Sequence, residues 1–200
     1  IMARKSAIEF PESRWFPLGN GLSAFGVKRF DRCEGMQVPI LSMAGVLQAD
    51  FRLPCLDYSD ILRATAMVTR SAKQREIQAR RMVFNVVMNN QDDHAKNFAF
   101  ILNEKEEWQV SPAYDLTFQQ GPGGQHQSSV AGYGSQISRK ALIKAAKSAD
   151  ISEKTLNVII EEIIDVANAF VLTANTLGDA IPTAVIKAVN AQIQANIKAL

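Results

Sequence analysis

"NNQDDHAKNFAF", running from Asn89 to Phe100, is the stretch on which the reading of this chain turns. Its asparagines, aspartates, histidine and lysine sit between two strongly apolar runs. Upstream, a helix expected from about Lys73 to Met88 changes character along its length. "KQREIQARR" is charged and amphipathic, whereas "MVFNVVM" is apolar nearly all round, which marks that end as buried. A loop that leaves a buried helix end is held more firmly than one between surface elements. Its polar groups are then either positioned for chemistry or form a solvated turn, since Asp and Asn are ordinary turn and capping residues.

The downstream sequence brings the chemical reading level with the structural one. "FAFIL", "NEKEE" and "WQV" (98–110) read as a short apolar strand, a charged turn and a second short strand. A strand rises about 3.3 Å per residue, so out-and-back arms of similar length return residue 115 to the neighbourhood of residue 97. Asp92, Asn97 and Asp115 are therefore expected to converge at one end of a small hairpin. An Asn and an Asp there are hard oxygen ligands suited to Mg²⁺. Asp92 remains to accept a hydrogen bond from an incoming hydroxyl, which is the division of labour in phosphoryl transfer.

Composition narrows the class. Two hundred residues with 47% hydrophobic content suit one compact domain or two tightly packed lobes. A net charge of +2, with Lys and Arg scattered and not interleaved with aromatics, argues against direct nucleic-acid binding. Cys33 and Cys55 have no metal-ligand spacing and fit a reducing compartment, so cytoplasm is the default. With two histidines in the chain, a histidine-rich metal site is excluded. No apolar run approaches membrane-spanning length. "IMARKSAIEF" reads as the last turns of a helix with no cap before Ile1, so a fragment of a longer protein is expected.

Elsewhere, Gly19-Asn20-Gly21 reads as a hairpin turn whose second strand ends at the charged "KRFDR". Residues 35–58 read as irregular, punctuated by Gly35, Pro39, Gly45 and Pro54. "DYSDILRATAMV" opens a helix capped by Asp57 or Ser59. "GPGGQHQSSVAGYGSQ" has the composition of a mobile, substrate-side surface loop. From Ser138 the chain reads as helical to its end. Leu156, Ile159, Ile160, Ile163, Ile164 and Ala167 share one face, and Pro182 stands at the first position of the last helix. The fold class expected is mainly α with a few short β-strands.

Together these motifs resemble the HipA family of bacterial serine/threonine kinases, toxins of toxin–antitoxin pairs. "FNVVMNNQDDHAKNFAFIL" followed by W-x-V-"SPAYDL" is similar to the family's catalytic segment, and "FGVKRFDR" to its hinge. The resemblance runs from residue 1 to about residue 175. It implies a protein-kinase-like C-terminal lobe over residues 1–200. Hinge-side strands would occupy 1–32, and a helical lobe 57–200 would carry a catalytic loop at 89–98 and a metal-binding segment at 111–117. Asp92 matches the catalytic aspartate; Asn97 and Asp115 match the metal ligands. His94 and Lys96, inside the loop, are candidates to contact phosphate or substrate, with capping or loop packing as the bland alternative. Asp93 is expected to brace the loop. Main-chain groups of Lys28 and Phe30 match those that meet the adenine edge, although Lys28 stands where an acidic residue is expected.

The implied activity is ATP- and Mg²⁺-dependent transfer to Ser or Thr of a protein, with an aminoacyl-tRNA synthetase as one target and a small DNA-binding antitoxin as partner. The family's phosphate-covering loop and its nucleotide-pairing lysine match no segment here. Weak or absent activity is therefore expected of residues 1–200 alone. The alternatives are a degenerate kinase fold acting as a binding module, and a phosphotransferase acting on small-molecule hydroxyls.

Overall fold

The computed structural model describes residues 1–20, 22–50, 56–178 and 181–200. It opens with a helical turn, α1 (Met2–Lys5), and a hairpin of β1 (Ser13–Gly19) and β2 (Leu22–Val27). Gly19 and Asn20 take left-handed φ angles of 83° and 50°, which is what a tight reversal between twisted strands requires. The third turn residue, Gly21, lies outside the described residues. Trp15, Phe16, Leu18, Leu22 and Phe25 are exposed on this hairpin.

Residues 35–58 are less irregular than the sequence suggests. After a two-residue hairpin, β3 (Arg32–Cys33) and β4 (Met36–Gln37), come β5 (Ile40–Ser42), α2 (Met43–Leu47) and β6 (Leu56–Asp57). Pro54 and Cys55 fall outside the described residues. The Ser42 hydroxyl caps α2 by accepting from the Gly45 amide at 3.2 Å. Such short elements carry too few residues for a periodic signal, and packing decides them. β5 pairs with β7 (Ala99–Leu102), which pairs with β8 (Trp108–Val110), giving a three-stranded antiparallel sheet.

Two long helices precede β7. α3 (Tyr58–Thr69) is capped by Asp57, whose Oδ1 accepts from the Ser59 amide at 2.7 Å. α4 (Ala72–Val87) is capped by Ser71, and every residue from Arg81 to Val87 is buried. The apolar run thus reports burial, as its lack of a polar face implies. Following β9 (Ser128–Ser129), which pairs in parallel with β6, the chain is helical as expected: α5 (Arg139–Lys147), α6 (Glu153–Asn168), α7 (Phe170–Asn175) and α8 (Thr183–Ala199). Pro182 stands one residue before α8 and not within it.

α4 is the central helix and packs against α3, α6 and α8. The predicted α6 stripe faces it: Leu156, Ile159, Ile160, Ile163 and Ala167 are buried, and Ile164 is partly buried. Burying a side chain of that kind stabilises by roughly 1.5–3 kcal/mol. At the far end of α4, Asn196 of α8 donates to the Val86 and Val87 carbonyls at 3.0 and 3.3 Å. The last carbonyls of the helix, where its own hydrogen-bond ladder runs out, thus gain a donor from another helix. Among the described residues no helix is long and apolar enough to cross a membrane.

Asp57 ties the second half of the chain to the first. Besides capping α3, its carboxylate accepts from the Ser129 hydroxyl and the Gly132 amide, both at 2.7 Å. Burial alone would raise this carboxyl, but hydrogen bonds from Ser59, Ser129 and Gly132 outweigh it and hold the group below the usual range. Its contribution to stability is therefore complete above the pKa it has when unfolded. It is lost as pH falls through that value to the lower folded one. Asp57→Ala is expected to lower the unfolding free energy in urea at neutral pH by about 1–2 kcal/mol, with the gap from wild type closing in acid.

Candidate active site

The buried end of α4 hands the chain to the polar loop at Asn89, which takes a left-handed φ of 56°. Asn is among the few residues that accept this conformation without large strain. Within the loop, Asn89, Asn90, Gln91 and Asp93 are buried, Asp92, His94 and Asn97 are partly buried, and Lys96 is exposed. A single 3₁₀ turn, Ala95–Asn97, then leads into β7. Core residues on both sides hold the loop, so its polar side chains do not wander as those of a surface turn would.

Asp93 is fully buried and braces the loop. Its Oδ2 accepts from the Tyr58 hydroxyl at 2.8 Å and is bonded to His126 Nδ1 at 2.7 Å. Its Oδ1 accepts from the Ser128 amide at 3.2 Å, and its main-chain oxygen accepts from the Ser128 hydroxyl at 2.6 Å. Asn85 donates to the Tyr58 oxygen at 2.8 Å, and Asn90 donates to Asn85 at 3.1 Å. Burial, followed by the Asp93 charge, pushes the Tyr58 phenol well above its usual pKa, so it stays protonated as the donor. Sequence reasoning missed Tyr58, Asn85, His126 and Ser128. Asn85 left a legible trace, because it is the one polar residue inside "MVFNVVM".

The glycine-rich stretch differs from the mobile loop expected. The Gln91 amide donates to the Gln119 carbonyl at 3.1 Å, the Gln127 amide to the Gln91 carbonyl at 3.1 Å, and the Gly121 amide to Gln91 Oε1 at 2.9 Å. These bonds lay the segment along the polar loop. A Cβ at residue 121 would stand 2.0 Å from the Gln125 oxygen, so the backbone can close there only through glycine. Residues 122–125 are exposed, but His126 and Ser128 are buried. Composition reports the exposed tip and is silent about the anchors.

Return of the hairpin follows the expected path. Phe100 pairs with Val110, and the Ser111 amide donates to the Ala99 carbonyl at 2.9 Å. Three contacts then fix "SPAYDL". Arg81 donates from Nη2 to the Ser111 carbonyl, the Ala113 amide donates to the Glu9 carbonyl at 2.8 Å, and the Tyr114 hydroxyl donates to the Lys96 carbonyl at 2.5 Å. Asn97 and Asp115 each follow directly after a partner in that last bond. Burial pushes the Tyr114 phenol up to about 12, with Arg81 opposing and Asp115 adding, so the hydroxyl keeps its proton at neutral pH. Complete burial lowers Arg81 to about 10, which leaves it cationic.

The segment expected to be the hinge meets the same tyrosine. The Phe30 ring lies 5.6 Å from that of Tyr114, centroid to centroid, at a 35° tilt. The Lys28 amide donates to the Glu12 carbonyl at 2.8 Å, so the main-chain group Lys28 can offer a base is its carbonyl. Asp31 receives Arg29 Nε at 2.8 Å and Arg32 Nη1 at 2.6 Å, which braces the turn after Phe30.

Of the reactive candidates, Asn97 donates Nδ2 to the Asp92 carbonyl at 2.8 Å, so Oδ1 is the atom it can present to a cation. Asp115 is exposed and sits at a left-handed φ of 53°. Among the described residues no three His, Cys, Asp or Glu side chains cluster for a metal. A cation here would rest on one amide and one carboxylate oxygen. That donor set fits Mg²⁺, which takes one or two protein oxygens and completes its shell with phosphates and water. His94 Nε2 lies 3.9 Å from Asp92 Oδ1, close enough for an ion pair when the ring is protonated. A largely apolar cavity of about 620 Å³ opens nearby between the first hairpin, α4 and Leu116–Phe118, but none of Lys28, Phe30, Asp92, Asn97 and Asp115 lines it.

The HipA-like C-terminal domain family model matches residues 1–170. The protein Y4dM of Sinorhizobium fredii, which carries the name of a kinase, is 35% identical over 95 residues, 46% of this chain and 23% of that protein. HipA of Shewanella oneidensis MR-1, solved as a toxin–antitoxin complex with HipB and operator DNA, superposes with a TM-score of 0.76 at 16% identity. That match takes in 98% of this chain and 53% of HipA. The Helicobacter pylori proinflammatory kinase CtkA gives 0.58 at 10% identity, over 98% of this chain and 76% of CtkA. The chain thus spans about a quarter of Y4dM and about half of the Shewanella protein. The shared fold is a mainly helical, kinase-like lobe with short strands. Tyr58→Phe would leave Asn85 and Asp93 each short of a buried partner. It is expected to lower the unfolding free energy by about 1–3 kcal/mol, measured by chemical denaturation.

Proposed function

The chain belongs to the HipA-like C-terminal domain family, and from that premise we propose that it forms the catalytic lobe of an ATP- and Mg²⁺-dependent kinase acting on Ser or Thr hydroxyls of a protein. The observation that carries this reading is the meeting at Tyr114. Its ring touches Phe30 of the hinge, its hydroxyl holds the Lys96 carbonyl in the polar loop, and Asp115 follows it in the chain. A nucleotide site, a phosphoryl-transfer loop and a metal segment need that adjacency.

In this reading residues 1–32 are the hinge side, 89–98 the catalytic loop and 111–117 the metal-binding segment. The Lys28 carbonyl and Phe30 main chain face the adenine edge. Asn97 Oδ1 and the Asp115 carboxylate would hold the metal ion. When bound, Mg²⁺ supplies charge neutralisation on the phosphates. Asp92 accepts the hydrogen bond of the incoming hydroxyl and takes its proton as the oxygen bonds to the γ-phosphorus and ADP departs. His94 and Lys96, in the same loop, serve as contacts for phosphate or substrate. Buried neighbours hold Asp92 and Asn97 in place in advance, and positioning is the larger part of what a protein contributes to this reaction.

Partner and setting follow the same reading. HipA of Shewanella was solved with HipB and operator DNA, which supports a toxin role with a DNA-binding antitoxin as partner, in the cytoplasm. An aminoacyl-tRNA synthetase is the protein target proposed. Asp92→Asn in the full-length protein is expected to cut phosphoryl transfer by about 10²- to 10⁴-fold while leaving the melting temperature unchanged, because Asp92 is partly exposed and lies outside the core. Transfer at the wild-type rate would remove Asp92 from the chemistry.

A further inference from the structure

Phosphoryl transfer as described uses Asp92, Asn97 and Asp115 and leaves a buried titratable pair, His126 and Asp93, without a task. The two belong to different segments, 33 positions apart, yet His126 Nδ1 stands 2.7 Å from Asp93 Oδ2. His126 is itself held, since its amide donates to the Gly134 carbonyl at 2.7 Å. With Tyr58 also on Oδ2 and Ser128 on Oδ1, the carboxylate has no freedom to rotate. Asp93 shares a peptide with Asp92, and the carbonyl of that peptide receives Asn97 Nδ2 at 2.8 Å. Whatever fixes Asp93 therefore fixes the plane between the proposed base and the proposed metal ligand.

We infer that His126 is a positioning residue for phosphoryl transfer, acting through the Asp93 carboxylate to orient the peptide that carries Asp92 and anchors Asn97. This rests on the function proposed above. An ionised carboxylate can only accept, so against it the group His126 presents is Nδ1–H. An asparagine places an amide nitrogen where Nδ1 stands. A glutamine places it where Nε2 stands, and an alanine places nothing. The contact also couples the exposed tip of residues 122–125, next to His126 in the chain, to the loop beneath it.

The test uses the full-length protein with His126→Ala, His126→Gln and His126→Asn. Turnover, nucleotide KM, melting temperature and amide hydrogen exchange over residues 89–98 are measured for each. Ala and Gln are expected to lower kcat on the order of 10- to 100-fold, the cost of a misplaced reacting group, with nucleotide KM changed less than about twofold. Asn is expected to restore most of the rate, and the loop amides to exchange faster in the Ala protein than in the Asn protein. If Asn is as impaired as Ala, or the lost activity tracks the unfolded fraction, or exchange over 89–98 does not respond, the positioning role is overturned while the transferase reading stands. If the wild-type protein transfers no phosphoryl group although exchange follows the expected order, the transferase reading is overturned and the catalytic part of this inference falls with it.

Discussion

A carboxylate with no solvent exposure must find its hydrogen-bond donors inside the protein, and Asp93 finds three, from Tyr58, His126 and Ser128. Leaving any of them out would expose a buried charge to an uncompensated desolvation penalty. Tyr58 lies far in sequence from His126 and Ser128, so satisfying one side chain requires the start of α3, the loop after α4 and the segment running into β9 to meet. Asn85 extends the demand into α4 by orienting Tyr58. The fold around the loop can be described as the solution to that requirement.

The same requirement explains why a polar loop emerges from the best-buried helix of the chain. A core built only from apolar contacts would tolerate small shifts of the loop. A chain of hydrogen bonds through Asp93, Tyr58, Asn85 and Asn90 does not, because each member loses its partner when one moves. Rigidity is passed on to Asp92 through its peptide, and Tyr114 passes it on to the segment bearing Asp115. From the other side, the Phe30 ring brings the proposed hinge onto Tyr114.

Much of this was legible in the residues. The apolar end of α4, the strand–turn–strand of residues 98–110, the capping role of Asp57 and the buried stripe of α6 all follow from periodicity and capping chemistry, and all are present. Short elements such as α2, β5 and β6 were not legible, because they owe their existence to neighbours in space. The glycine-rich segment was misread for a related reason. Gly, Ser and Gln speak of an exposed loop, and nothing local announces that Gln127 and Ser128 hydrogen-bond to the polar loop after α4. The proposed reactive residues could be picked out by type and spacing, whereas of their supports only Asp93 was anticipated. Tyr58 and His126 lie in unremarkable contexts, and Tyr114 is visible only as one letter of "SPAYDL".

The most direct test of the proposed site asks whether Asn97 and Asp115 share one cation. Affinity of the full-length protein for the Mn²⁺–nucleotide complex can be measured by calorimetry for the wild type, Asn97→Ala, Asp115→Ala and the double variant. A shared ion predicts that each single substitution removes most of the metal-dependent affinity and that the second adds little, a strongly non-additive cycle. Single variants that bind like wild type, or two losses that simply sum, would contradict it.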